Sequence, residues 1–235
     1  MAMKDWIEYK GIRCTTIGIH VTEYPPTIIP AERLIFTNVP GRSGALTQKE
    51  GNQVYDDVTL PFKFYCADPT PIINNIAGYF SGNGDLRYPY RPGFHYKARV
   101  INQIPLAKVL RERPNRTFTV NFRCKPFAYM DNVQDVTITD NMTFLNNPCS
   151  VESEPTITVN GSGDITLMIG MQIIELRDVD GSITINSELR ETYNDDELLN
   201  SQMIGEFPVL VPGNNAVTWD GEVTSVVVSP NWRSL

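Results

Sequence analysis

The stretch TITVNGSGDITLMIGMQIIELRDVDGSITIN, from Thr156 to Asn186, decides the fold. Apolar and polar residues alternate through Thr156–Val159, Ile165–Ile169 and Ser182–Asn186, and Gln172–Leu176 adds a fourth apolar run. A side-chain period of two marks strands with one buried face. Between the runs stand Asn160-Gly161-Ser162-Gly163-Asp164 and Asp178-Val179-Asp180-Gly181. Asn-Gly and Asp-Gly flanked by alternating apolar runs signal hairpins, so both clusters read as turns. The pattern continues downstream. Pro208–Val211, Ala216–Trp219 and Glu222–Ser229 are strand-like, separated by Pro212-Gly213-Asn214-Asn215 and by Asp220-Gly221. Short strands at regular spacing predict a sandwich or jelly roll.

Working toward the N-terminus, Asn146-Asn147-Pro148 and Glu152-Ser153-Glu154-Pro155 read as a connector, and residues 128–154 have little periodicity. Earlier residues read as strands with one helix. Trp6–Tyr9 and Ile12–Cys14 flank Lys10-Gly11 as a small hairpin. Ile17–Val21, Arg33–Phe36, Val54–Cys66, Asp85–Tyr90, Phe94–Ile104 and Arg116–Pro126 are strand-like. Pro40-Gly41-Arg42-Ser43-Gly44 is a loop, and Arg113–Arg116 a turn. Pro61 predicts an edge or a bulge in its strand. Asp68-Pro69-Thr70-Pro71 opens the helix, with Asp68 or Thr70 as cap, and Gly82-Asn83-Gly84 ends it. Ile72, Ile73, Ile76, Ala77 and Phe80 share one helical face.

Composition bounds the function. The 235 residues are 41% hydrophobic and 20% charged, enough for a sizeable core. No run of about 18 apolar residues occurs. The opening MAMKDWIEYK has no apolar signal-peptide core, so standard secretion is not expected. A net charge of −7 argues against a general nucleic-acid binder. That charge is unevenly placed. Up to Leu145 there are 17 Lys/Arg against 13 Asp/Glu; beyond it there are 3 against 14. The shift predicts two modules, 1–145 and 146–235.

The residues suggest no reaction centre. Cys14, Cys66, Cys124 and Cys149 lack the paired spacing of a zinc site and read as buried reduced thiols. His20 and His95 are the only histidines, and neither accompanies a nucleophile motif. Asp56 and Asp57 are strand neighbours, which point to opposite faces and do not converge. Asp195-Asp196-Glu197 reads as a solvated loop. Asp178-Val179-Asp180-Gly181 resembles part of a calcium loop, but its glycine is fourth rather than sixth, which favours a turn. Three Asn-x-Ser/Thr matches, at Asn115, Asn141 and Asn160, read as chance. Trp6, Trp219 and Trp232, with Tyr88 and Tyr90, could stack on sugars if exposed, although Trp219 alternates with Val217 as a core residue would.

A further pattern lies in the last 35 residues. Met203–Asn215 (MIGEFPVLVPGNN), Val217-Thr218-Trp219 and Ser229-Pro230-Asn231-Trp232-Arg233 together resemble the C-terminal signature of siphophage distal tail proteins. Gly161–Leu167 and Ile183–Glu188 before Tyr193 fit the same family. Gly41-Arg42-Ser43-Gly44 and Tyr55-Asp56-Asp57 are similar to its N-terminal domain. Glu206 and Asn186 depart conservatively, each standing where aspartate is common.

The resemblance implies a mainly β protein. It would have a β-sandwich or barrel-like ring domain with one helix, and a C-terminal galectin-like (jelly-roll) β-sandwich. It implies a non-enzymatic virion component at the distal end of a phage tail, assembled in the host cytoplasm, of a free phage, a prophage or a tail-like particle. The partners would be five further copies in a homo-hexamer, the tail tube protein and the tail-associated tip protein. Receptor-binding proteins would attach at the periphery, and DNA would pass through without specific binding. No membrane, metal or cofactor is implied. Within this reading the helix face of Ile72, Ile73, Ile76, Tyr79 and Phe80 is the expected ring interface; its alternative role is to cover its own sheet. The runner-up function is a carbohydrate-binding module of a tail or cell-surface protein, and the third reading a glycan hydrolase.

Overall fold

The computed structural model describes residues 5–51, 53–106 and 117–235. The chain forms two compact units that divide between Tyr129 and Met130. This lies upstream of the charge boundary at Leu145, because two short strands between them belong to the second unit's sheet. Divided there, the sequence carries 17 Lys/Arg against 10 Asp/Glu in the first unit and 3 against 17 in the second. The turn expected at Arg113–Arg116 lies outside the described residues.

The first unit contains β1 (Glu8–Tyr9), β2 (Ile12–Arg13), β3 (Ile19–Glu23), β4 (Leu34–Thr37), β5 (Leu46–Lys49), β6 (Val58–Cys66), helix α1 (Ile73–Phe80), β7 (Asn83–Arg87), β8 (Phe94–Val100) and β9 (Thr117–Met130). Its main sheet runs β2-β1-β7-β8-β9-β6-β3, and β4 and β5 pair only with each other. The β1–β2 turn places Lys10 and Gly11 at φ 54° and 76°, the left-handed pair that a tight hairpin needs. Pro61 lies in β6 just past Lys63, where pairing with β3 has ended, so its missing N–H costs the sheet nothing on that side. A short 3-10 turn, Thr70–Ile72, leads into α1, and the Asp68 carboxylate accepts from the Thr70 N–H at 3.0 Å. At the other end the Lys10 ammonium donates to the carbonyls of Gly78 and Ser81, at 3.0 and 2.8 Å. A cation there satisfies otherwise unpaired carbonyls.

The helix seats on an aromatic core. Phe80 packs edge-on against Phe64 and Phe118, and tilted against Phe122, with centroids 5.5–6.4 Å apart. Tyr79 meets Tyr9 at 6.0 Å and donates its hydroxyl to the Ile12 carbonyl at 3.1 Å.

Burial in this unit gives it an alkaline weakness. It pushes the Cys14 thiol up to about 11 and the Cys124 thiol to about 12, and raises the phenols of Tyr24, Tyr79 and Tyr88 further. All are protonated in both states at neutral pH. Above about pH 9 the unfolded thiols ionise first, so the unfolded state gains and folding stability falls as pH rises toward the folded values. Thermal scans at about pH 7 and about pH 10.5 should show one transition, that of the first unit, moving down while the other moves less. Equal shifts in both transitions would refute this.

The second unit contains β10 (Val136–Ile138), β11 (Thr143–Asn147), β12 (Thr156–Ile169), β13 (Gln172–Asn186), β14 (Glu191–Asn194), β15 (Glu197–Leu198), β16 (Met203–Ile204) and β17 (Gly213–Ser229). The order is β10-β17-β12-β13-β14-β15, with β11 also on β17 and β16 on β13. Pro208–Val211 contributes only an isolated bridge, Leu210 to Ser153.

The predicted turns at Asn160–Asp164, Asp178–Gly181 and Asp220-Gly221 are not hairpin turns. They sit inside β12, β13 and β17, at one level across three adjacent strands. Gly161 lies opposite both Gly181 and Val223, and Ser162 opposite both Asp180 and Glu222. The register shifts there, as at a β-bulge. In β13 and β17 the inward row changes phase across the corner. β13 buries Ile174 and Leu176 before it and Val179, Ile183 and Ile185 after it; β17 buries Val217 and Trp219, then Val226 and Val228. Each long strand therefore turns apolar rows inward on both sides of the corner, and the sheet curls into a sandwich. Asp178, at φ 51°, donates its N–H to the Asp164 carboxylate at 3.1 Å and so clips the corner.

Candidate assembly surface

Most of the residues tested for chemistry stay apart; the exception is the two acidic segments, Asp178–Asp180 and Asp195–Glu197, which meet at one cavity. Asp56 accepts from Arg33 and Asp57 from Arg123, each at 2.8 Å, so the adjacent carboxylates diverge to separate cations. His20 pairs with Asp5 at 2.7 Å, and His95 stacks on Tyr129. All four cysteines are buried thiols outside any disulfide. Asp195, Asp196 and Glu197 line a shallow cavity of about 470 Å³ with Asp178 and Asp180. Among the described residues no group of three or more His, Cys, Asp or Glu is placed to hold a metal ion. Trp219 and Trp232 are buried, so their faces are closed to a sugar. The Arg13 guanidinium lies over the Trp6 ring at 4.4 Å.

The five helix residues separate in the structure. Ile76, Tyr79 and Phe80 are buried in the core of their own unit, and Ile72 packs against it half-buried. Only Ile73, 51% exposed, faces solvent. The periodic face therefore covers its own sheet.

A surface without an internal partner among the described residues lies elsewhere, on the β4–β5 hairpin. Its base is held firmly. Arg33 donates its N–H to the Val54 carbonyl at 2.9 Å, Asp56 donates to Ala31 at 3.0 Å, and Glu32 bridges to Tyr55. Arg33 pairs with Asp56, and Lys49 with Glu32 at 2.6 Å. Tyr55 packs edge-on against Phe127, tying this base toward the sheet.

Beyond the base, the arm is apolar and uncovered. Leu34, Ile35 and Phe36 pair with Lys49, Gln48 and Thr47, and all three are exposed, Phe36 by 65%. Val39 beyond them and Ile28 and Ile29 before them are exposed too. The loop at the tip, which includes the predicted Gly41–Gly44 segment, turns through left-handed Gly41 and Gly44, at φ 78° and 79°. A two-stranded ribbon with no third layer is marginal in water, and consecutive exposed apolar residues on both of its faces cost solubility. Such an arm gains stability by covering these residues on another surface. Sequence reading missed it because Arg33–Phe36 is too short to show a period, and nothing in those four residues reports exposure.

No family profile matches the chain, and no curated protein matches it. Among solved structures, the chain is similar to the crystal structure of SPP1 Dit (gp 19.1), described as a paradigm of the hub adsorption apparatus in phages infecting Gram-positive bacteria. The match has a TM-score of 0.68 at 14% identity and covers 95% of this chain and 97% of that one. The two chains share a fold over both units.

Proposed function

We propose that this chain is a structural hub of a siphophage tail tip: a homo-hexameric ring that joins the tail tube to the tip protein and to peripheral receptor-binding proteins. The observation that carries this reading is the similarity to a phage hub protein across both units together, which a shared sandwich module alone would not produce. The sequence signature in residues 203–233 points the same way, and so does the uncovered arm. In this reading the first unit forms the ring, and the second unit is a galectin-like sandwich. The role is non-enzymatic in this reading, in keeping with the similarity to a structural hub protein. DNA passes through the ring without specific contacts.

A closed ring repeats one heterologous contact between unlike surfaces. The β4–β5 arm is suited to be one side of that contact, with exposed Ile73 as the helix's contribution. Light scattering after size exclusion, with negative-stain images of the same peak, tests the reading. The expected result is a mass near six times 26.5 kDa and ring-shaped particles. A monomer that stays monomeric when mixed with its tail tube and tip partners would refute it.

A further inference from the structure

The second unit carries an apolar strip outside every contact discussed so far. It lies on the outward side of β11, β17, β12, β13 and β16. Phe144 stands opposite Ala216, Met168 opposite both Thr218 and Ile173, and Ile204 opposite Glu175. The flanking residues Leu145, Val217, Leu167, Ile169 and Ile174 point inward and are buried, so strand alternation sends this row to solvent. Phe144 is 63% exposed and Ile173 60%, and Met171 at the β12–β13 hairpin tip is fully exposed. Single exposed apolar residues are ordinary, but a row that crosses adjacent strands marks an interaction surface.

The strip has an acidic border. Asp164, Glu175, Asp178 and Asp220 line a cavity of about 530 Å³ beside it, together with Arg177. That guanidinium lies 3.5 Å from Glu175 and is already engaged. The whole unit has 3 Lys/Arg against 17 Asp/Glu.

We propose that this strip docks a segment of a different protein, one whose apolar side chains are flanked by lysine or arginine. The apolar side chains would cover Phe144, Met168 and Ile173 while the cations meet the carboxylate border. A second copy of the same face is disfavoured, because it would set carboxylates against carboxylates as the apolar rows approached. The proposal does not depend on the ring reading, because peptide binding is read whatever the oligomeric state.

Fluorescence anisotropy on the full chain tests it with two short labelled peptides, one alternating leucine with lysine and the other leucine with glutamate. The lysine peptide should bind and weaken with added salt, while the glutamate peptide should not bind. Phe144→Ser with Ile173→Ser should weaken binding about tenfold or more. Glu175→Lys with Asp220→Lys should transfer the preference to the glutamate peptide. Asp195→Asn with Asp196→Asn, away from the strip, should change little. If the distant pair weakens binding as much as the strip variants, the attraction is general charge and the proposal fails. It fails as well if both peptides bind alike, or if the strip variants change only the oligomeric mass, which would make the occupant a second copy.

Discussion

A Gly161→Ala protein should lose about 3 kcal/mol or more of stability in its second unit, while Gly163→Ala, two residues away, should lose only about 1–2 kcal/mol. The two glycines serve the corner for different reasons. A Cβ on Gly161 would lie 2.3 Å from the Glu222 carbonyl oxygen, 2.9 Å from the Ile165 side chain and 3.2 Å from the Val223 Cα. Two of those three atoms are backbone of the neighbouring strand, which cannot swing aside as a side chain can. Relief would require β17 to move off β12 where the sheet folds over. Gly163 has the opposite character. Its φ is +75°, but a Cβ there would meet nothing within 4 Å. Alanine at that position bears only the left-handed conformation, about 1–2 kcal/mol. Thermal melts that resolve two transitions would decide the matter. The second-unit transition should fall far more in Gly161→Ala than in Gly163→Ala, and the first-unit transition should hold in both. Equal shifts would mean that close strand approach does not govern this corner.

That corner also shows where the sequence stops being legible. The alternating rows of Ile157 and Val159, Ile165 to Ile169, and Val226 and Val228 were readable because a period of two is a local property. The chemistry of Asn160-Gly161, Asp180-Gly181 and Asp220-Gly221 was readable too, as places needing unusual backbone. What that chemistry cannot distinguish is a turn that reverses the chain from a bulge that bends it. The difference lies in whether Gly161 meets Gly181 and Val223 across the sheet, a register fixed by residues 20 and more positions away. The helix divides in the same way. Its start at Asp68–Thr70 and its apolar spacing were visible, but that spacing looks the same whether Ile76 and Phe80 cover their own sheet or a neighbouring copy. Residues 128–154 had little pattern because β10 and β11 are short strands that pair only with β17. The apolar arm was illegible as a site for a different reason. Leu34-Ile35-Phe36 reads as part of an ordinary short strand, and only the fold shows that no layer among the described residues is laid over it.

The arm supports the second large effect: Ile35→Asp with Phe36→Asp should convert the proposed ring to folded monomers. Each of these side chains, if covered by a neighbouring copy, is worth about 1.5–3 kcal/mol. Aspartate would remove that gain and also leave a carboxylate without a partner in the contact. A ring repeats the loss at every junction, so a shift of a few kcal/mol per contact is enough to dissociate it. The monomer should survive. Neither residue belongs to the buried core, and the ion pairs of Arg33 with Asp56 and of Lys49 with Glu32 at the base are untouched. Light scattering should give a mass near 26.5 kDa, with circular dichroism and both melting transitions close to those of the unsubstituted chain. Ile73→Asp gives the comparison, since Ile73 is the large apolar residue of the helix face that is exposed. If the arm variant dissociates and Ile73→Asp does not, the contact is seated on β4–β5. If Ile73→Asp dissociates the ring and the arm variant leaves it whole, the contact belongs to the helix and the arm has another partner. The distinction is physical. The helix has already committed Phe80 to Phe64, Phe118 and Phe122, whereas the arm's apolar residues have no such neighbours among the described residues.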